Sequence, residues 1–263
     1  MRIGCAVPVS EIRAARDLGF DFVELRVREL YPDGPESAFG ATARLVDSIG
    51  VPAEVFAFLL PPELKVVGLA VDRDSLRSWV RTVARRASLL GGRVIVVGSG
   101  EARRVPAGFP SGRALGQLAD FLKDADEEAS KQGLLIALEA INRTETNLLH
   151  SLDEACSLVE SLARPGLGVV ADLYHMLVEG EPLSHLTRPL ERLFHVQLAD
   201  SGRRPPGQGC FDFWTAFTFL NSVGYEESVS LECSFSRFSE EGGPALDFVR
   251  RAMETTGSLE FLR

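Results

Sequence analysis

The feature that most constrains this chain is a regular alternation between short apolar segments and longer amphipathic ones. Eight segments are rich in β-branched and apolar residues and are bounded by Gly, Asp or Pro, which is typical of buried strands. These segments are residues 3–7, 22–27, 53–59, 93–98, 134–140, 167–172, 194–200 and 229–234. Apolar spacing of three to four positions predicts helices over 10–18, 37–49, 72–90, 111–132, 151–162, 211–223 and 240–256. Ser10 is the expected cap of the first helix, and the helix between strands six and seven is weakly predicted, over 182–191.

Strands that alternate with helices predict a parallel sheet with right-handed crossovers. Continuous apolar strands also suit a sheet that is covered on both faces. Eight units in 263 residues favour closure into a (β/α)8 barrel, the TIM-barrel architecture, which usually takes about 250 residues. The alternative is a doubly wound open sheet, but the glycine-rich phosphate turn expected after its first strand is replaced here by PVSEI (8–12). We therefore expect one α/β barrel domain over residues 1–263.

The chain is acidic, with a formal net charge of -9 and a pI of about 5.1. Such a chain repels nucleic acids and anionic membranes unless it carries a local basic patch, so neither is an expected partner. No run of about 18 apolar residues predicts a membrane span, and the charged N-terminus lacks the apolar core of a signal peptide. The four cysteines form no Cys-x-x-Cys pair and are expected to be free thiols. These features predict a cytoplasmic protein.

Carboxylates stand at the ends of several predicted strands. Glu139 ends the fifth strand, Asp172 ends the sixth, and Glu232 lies late in the eighth. Because the carboxyl ends of the strands build the active site of a β/α barrel, these side chains should converge. Carboxylates in apolar strands are destabilising unless they are paired or bind a cation. Their oxygens suit Mg²⁺ or Mn²⁺, so the pattern predicts a divalent metal site.

Other polar residues within the strands are less specific. Glu24 and Glu54, in the second and third strands, are most simply explained as edge residues or as carboxylates neutralised by a nearby Lys or Arg. His195 and Gln197 share one face of the seventh strand by two-residue alternation. This alternation would let His195 line the barrel below the metal.

Two long loops follow strands at the predicted active-site end. The loop 98–110 carries Arg103 and Arg104, which are either solvated or placed to meet a substrate carboxylate or phosphate. Residues 59–74 are long enough to form a partial lid. His150 and His185 are expected at the surface, on a helix or in a loop.

Four motifs give the sequence a specific resemblance to a known family. EAINRTETNLL (139–149), DLYHM (172–176), HVQLADSGRRPPGQGCFDF (195–213) and LECSF (231–235) resemble, in this order, the xylose-isomerase-like TIM barrels. The nearest branches are the hydroxypyruvate isomerases and the ketose 3-epimerases of the tagatose/psicose type. The resemblance extends from GFDFVEL (19–25) to the last strand and is strongest in the second half of the chain.

The resemblance implies a specific site. The family holds its metal with a Glu, an Asp, a His or Gln, and a second Glu, which match Glu139, Asp172, Gln197 and Glu232. Many epimerases have His at the third position, and the amide oxygen of Gln favours Mn²⁺ or Mg²⁺, with Co²⁺ and Zn²⁺ as alternatives. The family's substrate-binding residues match Glu145, His175 and Arg203, at the family's spacings. The PPGQG turn (205–209) resembles the family's PGxG loop.

The implied activity is isomerisation or epimerisation of a small keto-sugar or hydroxy-keto acid. The metal would stabilise an enediolate, while Glu139 and Glu232 would remove and return the proton as catalytic base and acid. Two alternatives stay open, a metal-dependent dehydratase of a cyclitol or dehydroshikimate-type substrate and a non-catalytic metabolite-binding barrel. The AP endonuclease branch needs more metal-binding histidines than the four present. Barrels of this kind often form homodimers.

Overall fold

The strands of the protein close into a parallel barrel. The computed structural model describes residues 1–188 and 190–257, and in this part of the chain eight strands follow one another around the barrel in sequence order. The strands are β1 Arg2–Ala6, β2 Phe22–Arg26, β3 Ala53–Ala57, β4 Val94–Val97, β5 Leu135–Glu139, β6 Leu167–Asp172, β7 Leu193–Leu198 and β8 Ser228–Leu231. Parallel pairing of β8 with β1 closes the barrel. The predicted (β/α)8 barrel is confirmed, and the open sheet is excluded.

An α-helix follows each strand. The helices are α1 Ile12–Leu18, α2 Glu36–Ile49, α3 Arg73–Leu89, α4 Ser111–Ser130, α5 Leu152–Leu162, α6 Leu173–Glu179, α7 Phe213–Ser222 and α8 Phe238–Gly257. The seven helices predicted from apolar spacing are confirmed to within two residues at either end. The Ser10 cap is wrong, because Ser10 lies inside a 3₁₀ turn and α1 begins at Ile12 without a side-chain cap.

The sixth helix does not lie where the sequence predicts it. The segment 182–191 contains 3₁₀ turns, and it includes Pro189, which lies outside the described residues. α6 instead begins directly after β6, where the Asp172 carboxylate accepts hydrogen bonds from the backbone N–H groups of Tyr174 and His175. A helix of seven residues spans only two turns, which is too short for apolar periodicity to reveal it.

The interior of the barrel changes character from one side to the other. Alternate residues of β2 to β6 form an apolar cluster of Phe22, Val55, Ala57, Val94, Val96, Ala137 and Val170. A larger apolar core fills the space between the strands and the helices. The polar residues Glu24, His195, Gln197, Ser228 and Ser230, from β2, β7 and β8, are buried. The active-site candidates of β5, β6 and β8 lie at the carboxyl ends of their strands, as expected.

At the opposite end of the barrel, Glu54 is neutralised as the sequence predicts. Its carboxylate lies 2.5 Å from the guanidinium of Arg2 and 3.8 Å from that of Arg93. The four cysteines are free thiols. Among the described residues, no helix combines the length and the hydrophobicity needed to cross a membrane.

Candidate active site

Asp172 has one oxygen engaged with the backbone and one without a partner. Its Oδ1 accepts hydrogen bonds from the backbone N–H groups of Tyr174, at 2.7 Å, and His175, at 3.2 Å. Its Oδ2 is buried and has no hydrogen-bond partner among the described residues. Burial raises the pKa of Asp172, and the neighbouring Glu139 raises it further, while His175 lowers it. The helix cap therefore fixes the carboxylate while Oδ2 remains available to a ligand.

His175 lies in the first turn of α6 and faces Glu139 and Asp172. Its Nε2 lies 3.3 Å from Glu139 Oε1 and 3.5 Å from Asp172 Oδ2. Glu139, Asp172 and His175 each present a ligand atom within 4.8 Å of the others. Burial alone would lower the pKa of His175, but Asp172 and Glu139 together raise it. The Nδ1 atom accepts from the backbone N–H of Asn142 at 3.2 Å, and Nε2 also lies 3.2 Å from Arg203 Nη2.

Glu139, at the end of β5, is positioned by two neighbours that the sequence analysis did not assign to the site. Gly98 leaves the space for its carboxylate, because a Cβ at position 98 would collide with Oε2. Arg103 donates from Nη1 to the backbone carbonyl of Glu139 at 2.7 Å. Burial lowers the pKa of the Arg103 guanidinium to about 10. Arg103 is thus neither solvated nor in contact with the candidate substrate space, which corrects both sequence-based explanations of it.

Gln197 is held by Glu24 through its amide nitrogen, and its amide oxygen is left without a partner in the described part of the chain. Gln197 Nε2 donates to Glu24 Oε1 at 2.7 Å, while the buried Gln197 Oε1 has no partner within the described chain. Glu24 Oε2 accepts from Ser230 Oγ at 2.5 Å and lies 3.3 Å from His195 Nε2. The expectation that Glu24 is an edge residue or is neutralised by Lys or Arg is wrong. No ion pair with Lys or Arg is recorded for it among the described residues, whereas its polar neighbours are all inside the barrel.

His195 completes this interior network. Its Nδ1 lies 2.8 Å from Ser228 Oγ, and its Nε2 lies 2.8 Å from Ser230 Oγ. The ring is fully buried. The prediction that His195 lines the barrel on the same face as Gln197 is confirmed. We call Glu24, His195, Gln197, Ser228 and Ser230 the interior network.

Glu232 immediately follows β8 and does not lie within it, a small correction to the predicted strand. Its backbone N–H donates to the carbonyl of Leu198 at 3.0 Å, which continues the pairing of β7 with β8. Burial raises the pKa of Glu232 well above its ordinary value, and the carboxylates of Glu24, Glu139 and Asp172 raise it further. The site therefore concentrates negative charge.

Arg203 and Glu145 form an ion pair at the edge of this acidic group. Arg203 Nη2 donates to Glu145 Oε1 at 3.0 Å, and its guanidinium carbon lies 4.4 Å from the centroid of the Tyr174 ring. The backbone of Arg203 is held in the left-handed region, with φ of 56°. Burial alone would raise the pKa of Glu145, but Arg203 lowers it below its ordinary value. Strained backbone that orients a charged side chain is common at functional sites.

The loop that carries Arg203 is folded around Asp200. The Asp200 carboxylate accepts hydrogen bonds from the backbone N–H groups of Gly207, Gly209 and Phe211. A Cβ at position 209 would collide with this carboxylate. Asp200 is therefore the anchor of the PPGQG turn.

Five of the seven predicted site residues lie around one small cavity, while Asp172 and Gln197 are not among the residues that line it. This inner cavity has a volume of about 50 Å³ and is lined by Glu139, Glu145, His175, Arg203 and Glu232, among others. A single water-sized sphere needs only about 10–15 Å³ of such volume. Glu139, Asp172 Oδ2 and Gln197 Oε1 offer an oxygen-rich set, and two of these oxygens have no other partner in the described chain. The residues therefore fit a hard divalent cation.

Residues outside this cavity have other partners. His185 lies 2.9 Å from Glu181, and His150 Nδ1 lies 3.1 Å from the carbonyl of Ile141, so both histidines are partly buried. Arg104 bonds to Glu101 and to the backbone carbonyl of Glu145.

Comparison with known proteins agrees with this geometry. A sequence model of the xylose isomerase-like TIM barrel family matches residues 12–259. The chain belongs to this family. Among curated members, a ketose 3-epimerase from Arthrobacter globiformis is 38% identical over 124 residues, a match that covers 47% of this chain and 40% of that relative. An L-ribulose 3-epimerase from Mesorhizobium japonicum is 24% identical over 238 residues, which covers 86% of this chain and 75% of that relative.

A solved structure shows the same xylose isomerase-like fold. The structure of D-psicose 3-epimerase with D-tagatose from Clostridium cellulolyticum H10 superposes with a TM-score of 0.85. The two sequences are 17% identical, and the match covers 96% of this chain and 99% of the other. At this identity the likeness concerns the fold.

Proposed function

We propose that the protein is a divalent-metal-dependent isomerase or epimerase of a small keto-sugar or hydroxy-keto acid. The observation that carries the proposal is the meeting of Glu139 and Glu232 at one cavity, in a barrel where Asp172 and Gln197, paired on adjacent strands, each bury an oxygen that has no partner among the described residues. The relatives named above are epimerases of ketoses, which supports this reaction class.

Four residues would hold the ion, namely Glu139, Asp172, Gln197 and Glu232. When bound, the ion supplies positive charge that polarises the substrate carbonyl and acidifies the neighbouring C–H bond. Two of the four, Glu139 and Glu232, come from strands three steps apart and line the same cavity, so they flank the reacting carbons. One carboxylate removes the carbon-bound proton and the other returns a proton. Return at the neighbouring carbon gives isomerisation, and return on the opposite face of the same carbon gives epimerisation.

Other residues orient the substrate. His175 presents Nε2 to the substrate, because Nδ1 is occupied by the backbone of Asn142, and a protonated Nε2 can donate to a substrate oxygen. Arg203 offers a second charge-assisted donor, and both Tyr174 and Glu145 restrict its guanidinium. Preorganised donors of this kind stabilise negative charge that develops on a substrate oxygen.

The test is proton exchange with solvent. Manganese-loaded protein is incubated with a panel of ketoses and with hydroxypyruvate in D₂O, and NMR follows both product and deuterium. We expect deuterium at the reacting carbon, loss of turnover after chelation of the metal, and near-stoichiometric metal by elemental analysis. A product without solvent deuterium, or turnover that survives chelation, would contradict the proposal. An absorbance rise from an α,β-unsaturated product would indicate a dehydratase instead.

A further inference from the structure

A second, larger cavity adjoins the inner one. We call it the mouth cavity, and its volume is about 470 Å³, within the range of pockets that enclose small molecules. It shares Glu232, Arg203 and Phe58 with the inner cavity, but Arg26 and Arg28 line the mouth cavity and are not among the residues that line the inner one. A substrate with its reacting carbons near Glu232 can therefore extend towards these two arginines.

Arg26 is the last residue of β2, on the same strand face as Glu24. Its guanidinium carbon lies 5.0 Å from the centroid of the Phe58 ring. Within the described part of the chain, no ion pair joins Arg26 to a carboxylate. An aromatic ring orients the guanidinium but leaves its N–H donors free, so Arg26 is prepared to bind a planar or tetrahedral anion.

Arg28, two residues further on, is only weakly neutralised. Its Nε lies 3.8 Å from Glu29 Oε1, and 70% of its side chain is exposed. Arg203 in the same cavity is different, because it donates to Glu145 at 3.0 Å. Acidic residues outnumber Lys and Arg by 37 to 28 in this chain. The mouth cavity is also lined by Glu24, Glu29, Glu145 and Glu232. Glu24 and Glu145 are engaged by other partners. Arg26 and Arg28 are therefore left without a close carboxylate partner among the described residues that line this cavity.

Phe58, whose ring lies against the guanidinium of Arg26, has an unusual backbone conformation. It follows β3 directly, its φ is 56°, and 49% of its surface is exposed. Positive φ is unfavourable for a bulky residue and persists where the surrounding structure imposes it. The ring lines the inner cavity, the mouth cavity and a neighbouring cavity of about 670 Å³ that Arg26 also lines. Phe58 thus lies where the three cavities meet.

We infer that the substrate ends in an anionic group, a carboxylate or a phosphate, and that Arg26 binds this group with help from Arg28. The inference rests on the proposed function, because it names the substrate class of the same site. Arginine suits this task since its N–H donors match carboxylate and phosphate oxygens in pairs.

The experiment compares three ligands that differ only at carbon 6: D-fructose, D-fructose 6-phosphate and D-fructuronate. Calorimetry on the manganese-loaded protein measures their affinities without requiring turnover. We expect at least one charged ligand to bind about tenfold more tightly than fructose, which corresponds to one charge-assisted contact. The double variant Arg26→Ala, Arg28→Ala should abolish this preference and leave fructose affinity within about twofold. Arg26→Lys should keep part of the preference, because it retains charge and loses the planar donor pair.

Arg13→Ala is the matched control, since it removes an exposed arginine on α1, away from both cavities. It should keep the preference in full. The charged ligand that shows the preference identifies the anion as carboxylate or phosphate. Equal affinities, no binding of all three ligands, or a preference that survives in the double variant would overturn the inference.

The solvent-exchange assay separates the two proposals. An arginine-dependent preference without deuterium incorporation into any ketose would refute the reaction and leave the anion site standing. Incorporation into neutral ketoses with no charge preference would refute the anion site and leave the reaction standing.

Discussion

Glu24 and Glu54 lie on neighbouring strands, yet their carboxylates have different kinds of partner. Glu54 lies at the amino end of the barrel, where Arg2 and Arg93 neutralise it. Glu24 points into the barrel, where its bonded neighbours are Gln197, Ser230 and His195. The difference teaches that the position of a residue along the barrel decides which groups can reach its carboxylate. At the amino end Glu54 meets long basic side chains, whereas Glu24, in the middle of its strand, meets the polar residues of other strands.

The same contrast holds for the two ends of the barrel. At the amino end the acid is balanced by arginines of the chain. At the carboxyl end, burial and mutual repulsion raise the pKa of both Asp172 and Glu232, although Arg203 is nearby. Raised pKa values at several neighbouring acids indicate a shortage of positive charge. A bound cation would remove this shortage, and the following predictions test that comparison.

The largest effect is expected from Glu139→Gln, compared with the same substitution at Glu54. Glu139→Gln removes a charged oxygen ligand, so we expect Mn²⁺ affinity to fall by more than about 100-fold, beyond the 10–100-fold typical of outer-shell changes. Turnover should become undetectable. Calorimetric titration with Mn²⁺ and the deuterium assay measure the two effects.

Glu54→Gln serves as the control for this substitution. It breaks the ion pair of the buried Glu54 with Arg2, whose side chain is 43% exposed, so it should lower the free energy of unfolding by about 1–3 kcal/mol. Its Mn²⁺ affinity should equal that of the wild type. Equal losses of Mn²⁺ affinity in the two variants would show that the ends of the barrel do not differ as described.

A smaller effect is expected from Glu24→Gln, which tests the interior network. A glutamine has one oxygen in place of two, so it cannot accept from both Gln197 and Ser230 in the same way. Gln197 then loses the partner that fixes its amide. We expect Mn²⁺ affinity to fall about 10–100-fold, as when other outer-shell partners of metal ligands are changed.

Two measurements distinguish positioning by Glu24 from a general loss of structure. Thermal unfolding should remain cooperative, and saturating Mn²⁺ should restore most of the turnover, since the reacting carboxylates are intact. Wild-type Mn²⁺ affinity in Glu24→Gln would mean that Gln197 does not depend on Glu24.

The fold and much of the candidate site follow from the sequence for identifiable physical reasons. Eight apolar segments separated by amphipathic ones leave few architectures other than a parallel barrel. The carboxyl ends of parallel strands then meet at one face, which brings Glu139, Glu145, His175, Arg203 and Glu232 to one cavity. Their roles there remain predictions that the variants above test.

The parts that could not be predicted depend on contacts across the barrel. Two-residue alternation allows Glu24 and Gln197 each to point into the barrel. It does not show that Gln197 Nε2 lies 2.7 Å from Glu24 Oε1. Arg103 belongs to a polar loop in the sequence. Only the folded loop brings its guanidinium to the backbone carbonyl of Glu139. α6 begins because Asp172 caps it. The sequence shows Asp172 only as the end of a strand, and the same residue both ends β6 and caps α6.

The smallest effect concerns stability without metal, where Glu232→Gln should stabilise the protein. The pKa of Glu232 is raised by burial and by the acids around it, so the folded protein holds this proton more tightly than the unfolded chain. Its contribution to stability is complete below the unfolded value of about 4.3 and is lost as pH rises through the folded value. Glutamine stays neutral throughout. In chelator, the variant should therefore unfold a few degrees above wild type at pH 8, with no difference near pH 4.

Added Mn²⁺ should reverse this order, because a ligand that binds only the folded state stabilises the protein with the intact site more. Thermal unfolding followed by circular dichroism, with chelator or with Mn²⁺, measures both differences. Glu54→Gln provides the contrast at the other end of the barrel, where the carboxylate already has Arg2 and Arg93 as partners. It should not gain stability at any pH. A lower unfolding temperature for Glu232→Gln than for wild type in chelator at pH 8 would mean that the acids at the carboxyl end are already balanced without a metal.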